Sequence, residues 1–132
     1  RQMCIRDRGT DGRIYPWGQA KPDAQRCNFA QNEKGTTPVG KYSPQGDSPY
    51  GCADMVGNVW EWCADWHDDG YYKTAPARNP PGPQKGTRRV LRGGSWSSNV
   101  RNVRSAFRNR DTPSGIYVKV GFRCVVSCLP GE

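Results

Sequence analysis

The 132 residues suffice for one compact domain and are too few for two ordinary domains. Gly and Pro supply 16 and 11 residues, which predicts many turns and short strands, while five Trp and six Tyr argue against a disordered chain. The net charge of +8 would suit a nucleic-acid partner, but most arginines between Lys85 and Arg123 lie in predicted strand and turn motifs, so we expect no nucleic-acid binding.

The first eight residues (RQMCIRDR) differ in character from the sequence that follows them. We interpret residues 1–8 as a non-native leader and residues 9–132 as the domain. The leader lacks the apolar run of a signal peptide, and no stretch approaches the roughly 20 apolar residues of a membrane-spanning helix. Six cysteines without a C-x-x-C pair, together with the single His67, do not predict a zinc site.

The predicted strands are short and separated by turns. The sequence predicts a strand at residues 13–15, an extended segment at residues 37–42 and a clear strand at residues 58–63. In this last strand, side chains alternate between two faces, so that Trp60 and Trp62 share one face. We expect most of the five tryptophans to belong to the core.

The second half of the chain begins with a predicted long loop at residues 67–87, which contains four prolines. Further strands are predicted at residues 89–91, 104–108 and 120–126, with an irregular polar stretch between them. The Gly93-Gly94 pair that follows residues 89–91 predicts backbone with positive φ or a close approach of two chain segments.

Seven sequence blocks, in this order, resemble the formylglycine-generating-enzyme (sulfatase-modifying factor) family. The resemblance spans about residues 11–127 and implies a C-type-lectin-like α+β domain with little regular secondary structure. It also implies that the chain corresponds to the C-terminal portion of that domain and is stabilised by calcium. The blocks are Tyr15-Pro16-Trp17-Gly18, Cys27-Asn28-Phe29, Thr37-Pro38-Val39-Gly40, Tyr50-Gly51-Cys52-Ala53-Asp54-Met55, Gly57-Asn58-Val59-Trp60-Glu61-Trp62, Arg89-Val90-Leu91-Arg92-Gly93-Gly94-Ser95-Trp96 and Gly121-Phe122-Arg123.

The resemblance assigns one calcium site to the acidic segment that follows residue 53. Its ligands are the side chains of Asp54 and Glu61 and the carbonyl groups of Gly57 and Val59. Calcium takes six to eight oxygen ligands and accepts this mixture of carboxylates and carbonyls. The alternative is structural: Asp54 caps a turn and Glu61 pairs with an arginine such as Arg92.

A second calcium site of the family corresponds to the Asn28 side chain and the Phe29 carbonyl group. Its remaining ligands fall in residues 31–35, where the loop is shorter than in the family. We interpret Arg123, in the final block, as half of a buried structural pair and not as a ligand contact.

Catalytic members of the family hold copper(I) between two cysteines in the loop after the Gly-Gly-Ser block, and they oxidise a sulfatase cysteine to formylglycine. In this chain the loop, residues 97–104, is shorter and contains no cysteine. Ser95 corresponds to a serine near the family's active site, but copper(I) is a soft ion that prefers thiolates. We therefore expect no copper and a domain without oxidase activity.

Two other branches of the superfamily provide alternatives. Ergothioneine-pathway sulfoxide synthases combine such a domain with an iron-binding domain that supplies histidines; with one histidine, this chain would be only the partner half. The variable proteins of diversity-generating retroelements end in a similar pattern of Gly-Gly-Ser-Trp, Arg-Ser-Ala-x-Arg and Gly-Phe-Arg. The complete gene is expected to encode other domains as well.

In the variable proteins, exposed positions between the fixed blocks form the recognition surface. The corresponding segment here mixes charged, aromatic, aliphatic and amide side chains, which favours a contact surface for a small ligand or a protein. The alternative is an ordinary loop that tolerates any residue. The candidate contact residues are Trp96, Ser97, Ser98, Asn99, Arg101, Asn102, Phe107, Asn109, Asp111, Ser114, Ile116, Tyr117 and Lys119.

Overall fold

The computed structural model describes residues 11–78 and 80–124. These residues contain four strands, β1 (Trp60–Trp66), β2 (Arg89–Arg92), β3 (Arg108–Asp111) and β4 (Val120–Gly121), and a four-residue helix, α1 (Tyr71–Thr74). The remaining described residues form turns and irregular segments, as the glycine and proline content predicts. The interpretation of residues 1–8 as a leader falls outside the described residues.

The four strands form one sheet with the order β3-β2-β1-β4. Strands β1 and β2 are antiparallel and pair Trp62 with Leu91, while β2 and β3 are antiparallel and pair Leu91 with Asn109. Strand β4 runs parallel to β1 and pairs Val120 with Trp60. The register between β1 and β2 is irregular between Trp62 and Trp66.

Because side chains alternate along a strand and paired residues share a face, the register divides the sheet into two faces. We call them the front face and the back face. The alternation predicted for Trp60 and Trp62 is confirmed, since both lie on the front face. The front face carries Trp60, Trp62, Leu91, Asn109, Asp111 and Val120; the back face carries Glu61, Cys63, Val90, Arg92, Arg108 and Arg110.

A separate hydrophobic cluster lies in the loops. Tyr15, Cys27, Val56 and Val103 are buried together, and Trp17 and Phe29 pack against them. The rings of Tyr15 and Trp17 stack, with centroids 5.4 Å apart. Burial raises the pKa of the Cys27 thiol to about 12, so this cysteine stays protonated and behaves as a small apolar residue.

Several predicted strands are wrong in extent or position, because local backbone hydrogen bonds close turns there. Tyr15 and Gly18 exchange both of their backbone hydrogen bonds, so residues 13–15 make an isolated bridge instead of a strand. Residues 39–42 form turns, and residues 37 and 38 have no regular structure. Phe107 N–H donates to the Arg104 carbonyl and closes a turn there. The strand predicted at residues 104–108 is therefore found further along the chain, as β3.

The remaining differences concern the ends of elements. Strand β1 begins at Trp60 because Asn58 has a positive φ of 62°. The predicted closing strand is only Val120–Gly121 within the described residues, and residues 125 and 126 lie outside them. The loop at 67–87 contains helix α1. Among the described residues, no helix has the length and apolar character needed to cross a membrane.

Candidate functional site

The front face of the sheet carries an open cavity of about 370 Å³. This volume lies within the range of roughly 300–1,000 Å³ that is typical of small-molecule sites. Strands β1, β2 and β4 supply an apolar base, β3 supplies polar groups, and the segment between β3 and β4 forms a wall. The lining residues are Trp60, Leu91, Asn109, Asp111, Ile116, Tyr117, Val118, Lys119 and Val120.

Aromatic contacts hold this wall against the sheet. The ring of Tyr117 meets that of Trp62 edge-on, with centroids 6.2 Å apart, and Phe107 lies 5.9 Å from Trp60. The Tyr117 hydroxyl donates to Asp111 Oδ1 over 2.7 Å. A Cβ on Gly115 would lie 2.2 Å from this hydroxyl, so a larger residue at position 115 would have to displace the Tyr117 side chain.

The cavity contains charges of both signs. The hydrogen bond from Tyr117 lowers the pKa of Asp111, and the same bond raises the pKa of Tyr117. Asp111 is therefore ionised and Tyr117 neutral at physiological pH. Lys119 supplies a cation near the opposite edge of the sheet from Asp111. Its Nζ lies 5.2 Å from the centre of the Trp96 ring.

The cavity brings together only some of the predicted contact residues. It includes Asn109, Asp111, Ile116, Tyr117 and Lys119. Phe107 lies outside the cavity and contacts the lining residue Trp60. Trp96 also lies outside it and contacts the lining residue Lys119. Asn99 and Arg101 are exposed, Asn102 is half-buried, and none of the three lines the cavity; Ser114 is exposed on the turn before Gly115.

Ser98 differs from the other predicted contact residues because it is buried. Its Oγ accepts the Ser95 N–H over 2.9 Å and lies 3.2 Å from Ser95 Oγ. Its role in the structure is therefore to hold the turn after Gly94, with Ser97 Oγ 3.4 Å from Ser95 Oγ on the same turn. Trp60 is buried, as expected of a core tryptophan, and it also lines the cavity. Leu91, Val118 and Val120 line the cavity as well and were not predicted from the sequence.

By the sequence resemblance, this serine turn corresponds to the loop in which catalytic members of the family hold copper(I). Its hydroxyl groups are hard oxygen donors, which suit copper(I) poorly. Of the described cysteines, Cys27 and Cys63 are buried, Cys52 is half-buried and Cys124 is exposed. Within residues 11–78 and 80–124, no three His, Cys, Asp or Glu side chains form a group that could hold a metal. The residues of the turn therefore do not fit copper.

The Glu61 carboxylate, a predicted calcium ligand, is bound by Arg123. Arg123 Nε donates to Glu61 Oε1 and Oε2 over 2.8 and 2.7 Å, and the guanidinium also donates to the carbonyls of Ala53 and Asp54 over 3.1 and 3.0 Å. The prediction that Arg123 forms a structural pair is confirmed. Asp54 Oδ2 accepts the Gly40 N–H over 2.7 Å. Both carboxylates of the first predicted calcium site thus have protein partners.

The second predicted calcium site has an oxygen without a partner. Asn28 is fully buried, and its Nδ2 donates to the Gly35 carbonyl over 2.8 Å. This bond fixes the orientation of the amide, and Oδ1 then has no hydrogen-bond partner among the described residues. A buried, unsatisfied acceptor costs about 1–3 kcal/mol, so a cation bound to this oxygen would remove a real penalty. The Phe29 carbonyl, the other expected ligand, accepts the Asn32 N–H over 2.9 Å. Asn28 Oδ1 thus suits a hard cation such as calcium, and calcium binding here stays a prediction.

Residues 2–128 match the sulfatase-modifying factor enzyme 1-like domain, and the chain belongs to this family. The resemblance drawn from the sequence blocks is therefore confirmed. The family is shared with proteins whose names indicate different activities.

Three curated relatives show this range. The chain is 41% identical over 112 residues to the serine/threonine-protein kinase pkn1 of Chlamydia caviae, covering 83% of this chain and 17% of the kinase. It is 40% identical to the formylglycine-generating enzyme of Streptomyces coelicolor, covering 88% and 41% of the two chains. It is 38% identical to the hercynine oxygenase of Mycolicibacterium smegmatis, covering 76% and 25%. The chain thus spans less than half the length of these relatives.

Two solved structures share the fold. PvdO from Pseudomonas aeruginosa superposes with a TM-score of 0.74 at 26% identity, covering 92% of this chain and 48% of PvdO. The Treponema denticola variable protein 1 superposes with a TM-score of 0.67 at 30% identity, covering 81% and 39% of the two chains. The expected fold, with short strands and little regular structure, is confirmed.

Proposed function

We propose that this chain is a non-catalytic domain of the sulfatase-modifying factor family that binds a small ligand or a partner protein. Residues 97–119 supply its contact surface, and the front-face cavity is the centre of that surface. The observation that carries the proposal is the cavity itself, in which β3 and the 116–119 segment bring Asn109, Asp111, Tyr117 and Lys119 over an apolar base.

The chemistry of the cavity supports binding. A concave, largely apolar base with a few convergent polar groups is typical of ligand sites. Trp60 and Leu91 form the buried floor of the cavity, and the exposed Ile116 and Val118 add apolar area at its wall. Asn109 provides an amide with donors and an acceptor, and Asp111 and Lys119 provide opposite charges near opposite edges of the sheet. Such a set favours an elongated ligand with an apolar middle and polar ends, such as a peptide.

The proposed absence of oxidase activity rests on the donor atoms. The loop that carries the copper ligands in catalytic relatives here presents Ser95, Ser97 and Ser98, whose hydroxyl groups already bond to one another or to the backbone. Without thiolates, copper(I) has no ligand pair in this loop.

A peptide selection tests the binding proposal. Heptapeptides selected from a random library on the wild-type domain are expected to bind Asn109→Ala and Lys119→Ala at least about tenfold more weakly, as contact residues at the centre of a site do. Lys34→Ala is the control, since Lys34 is exposed and does not line the cavity. Selected peptides that bind both cavity variants like the wild type would place recognition elsewhere and refute the proposal.

Oxygen uptake by the reduced, copper(I)-treated protein with a cysteine-containing sulfatase peptide would refute the non-catalytic assignment.

We also propose that calcium stabilises the domain. The unpartnered Asn28 Oδ1 supports the second predicted site, with the Phe29 carbonyl beside it in the sequence. At the first site, Asp54 and Glu61 would bind calcium alongside Arg123 and Gly40, with the carbonyls of Gly57 and Val59. Calcium has no part in a reaction here; it would tie these loops together.

An enzyme fragment is the first alternative. The names of two relatives, formylglycine-generating enzyme and hercynine oxygenase, favour it. Under this alternative, the missing metal ligands lie in other parts of a longer protein, in which the domain is fused to further domains. Histidine-bearing upstream sequence in the complete gene would support a sulfoxide-synthase half.

A variable protein is the second alternative. The superposition on the Treponema denticola variable protein 1 favours it. It predicts a near-copy of the segment that encodes residues 97–120, located beside a reverse transcriptase gene in the parent genome. A genome without that near-copy eliminates this alternative.

A further inference from the structure

The back face of the sheet has a cavity of its own, of about 120 Å³. The long loop that contains α1 covers it. Its polar lining consists of two guanidinium groups, two phenols, one thiol and one carboxylate, from Arg92, Arg108, Tyr71, Tyr72, Cys63 and Asp65. None of these residues belongs to the front-face cavity or to the predicted contact surface.

The arrangement of the two arginines is unusual. Arg92 and Arg108 are direct register partners on β2 and β3, so two like charges face each other across the strands. Such a pair is unfavourable in itself. The Arg92 guanidinium donates to the Ser105 carbonyl. The side chain of Arg108 forms no hydrogen bond or ion pair with any residue of the described ranges, and its guanidinium lies 5.0 Å from the centre of the Tyr72 ring.

Further donors point to the same space. The Tyr71 hydroxyl accepts the Gly82 N–H over 2.9 Å, which leaves its own proton available for donation. The one carboxylate of the lining, Asp65, is exposed, so water screens its charge more than that of the half-buried Arg108. Arg108 also acts on His67, outside the cavity: burial lowers the pKa of His67, and the charges of Arg110 and Arg108 lower it further, against Asp69 and Asp68.

We propose that the back-face cavity binds a small oxyanion, a phosphate or carboxylate group, between Arg108 and Tyr71. The planar guanidinium matches the two oxygens of such a group, and the cavity has the size of one oxyanion and not of a larger ligand. This site does not depend on the function of the front face.

The test is a calorimetric titration of the protein with inorganic phosphate at constant ionic strength, with acetate as a second arm. Wild-type protein is expected to give saturable binding of one of the two anions, and the arm that binds identifies the chemistry. Arg108→Gln is expected to weaken that binding by about tenfold or more, as the loss of a charge-assisted hydrogen bond does. Asp65→Asn is expected to strengthen it, because a like charge is removed.

Two further variants keep the test decisive. Tyr71→Phe retains the ring and removes only the hydroxyl, so it tests the site even if Arg108→Gln does not fold; it is expected to weaken binding severalfold. Lys21→Gln removes one exposed charge outside the cavity and is expected to bind like the wild type. No saturable binding of either anion, or equal binding by the wild type, Tyr71→Phe and a folded Arg108→Gln, would overturn the proposal.

Discussion

Arg123 connects parts of the chain that lie far apart in sequence. Its guanidinium joins the carbonyls of Ala53 and Asp54 to the Glu61 carboxylate at the start of β1, just after β4 ends. From the sequence we expected that Arg123 is structural and, as one alternative, that Glu61 pairs with an arginine such as Arg92. Sequence spacing could not select the partner, because Glu61 and Arg123 are 62 positions apart and meet only when β4 pairs with β1.

Arg123→Gln should lower the free energy of unfolding by about 2–4 kcal/mol, since it leaves a largely buried carboxylate and two carbonyls without their donor. Glu61 and Arg123 expose 17% and 28% of their side chains. The matched control is Arg26→Gln, which breaks the more exposed pair with Asp23 and should change stability by less than about 1 kcal/mol. Urea denaturation measures both values, and similar losses for the two variants would contradict this account.

At the scale of elements, the turn before β1 holds the loops to the sheet. Gly57 and Asn58 have φ values of 80° and 62°, and Gly57 N–H donates to the Gly93 carbonyl over 2.8 Å. Asn58 N–H donates to the Asn28 carbonyl and its own carbonyl accepts the Trp96 N–H. The turn thus links the Asn28 loop, the Gly-Gly segment and the serine turn.

Gly57→Ala should destabilise the protein by more than about 3 kcal/mol. Alanine at position 57 would have to adopt a left-handed backbone conformation, which is unfavourable for a residue with a Cβ. Its Cβ would also lie 2.4 Å from the Asn28 carbonyl oxygen, so the backbone must shift. Gly51→Ala is the control: its φ is 70°, but no atom lies within 4 Å of an added Cβ, and only the conformational cost of about 1–2 kcal/mol applies. Equal unfolding midpoints in urea for the two variants would show that the close approach is unimportant.

The elements also show what the sequence could predict. The alternation at Trp60 and Trp62 identified β1 and its faces, and Gly93-Gly94 was expected to have positive φ, which both residues have. The strand predicted at residues 104–108 lies further along the chain, as β3, because backbone hydrogen bonds that the side chains do not reveal close a turn at Arg104–Phe107. Local pattern therefore predicted faces better than it predicted ends.

At the scale of the whole molecule, little of the fold follows from composition or periodicity. Glycine and proline predicted the low content of regular structure, but the sheet order and the front-face cavity arise from contacts between distant segments. The family resemblance supplied the fold. The cavity could be predicted only in part, since Asn109, Tyr117 and Lys119 were named, whereas its base at Trp60 and Leu91 depends on the strand register.

Calcium is expected to stabilise the molecule as a whole. At calcium a hundredfold above its dissociation constant, the free energy of unfolding should rise by about 2.7 kcal/mol, which corresponds to a melting temperature about 8 °C higher than in EGTA. If the Asn28 site dominates, Asn28→Asp should enlarge the difference in melting temperature between calcium and EGTA, and Glu61→Gln should leave this difference unchanged. Scanning calorimetry with and without EGTA measures the difference for both variants. A melting temperature that EGTA does not change would contradict the calcium proposal.

The two edge strands of the sheet have a consequence for the behaviour of the protein in concentrated solution. Among the described residues, one edge strand is β4, which is two residues long, and the other is β3, whose four residues include two arginines and an aspartate. Unpaired edge strands tend to pair with strands of other molecules and so initiate aggregation. Short edge strands and charged side chains on them both oppose this pairing. Together with the net charge of +8, these features oppose pairing of the described sheet edges between molecules, so we expect contacts with other molecules to form on the two faces of the sheet.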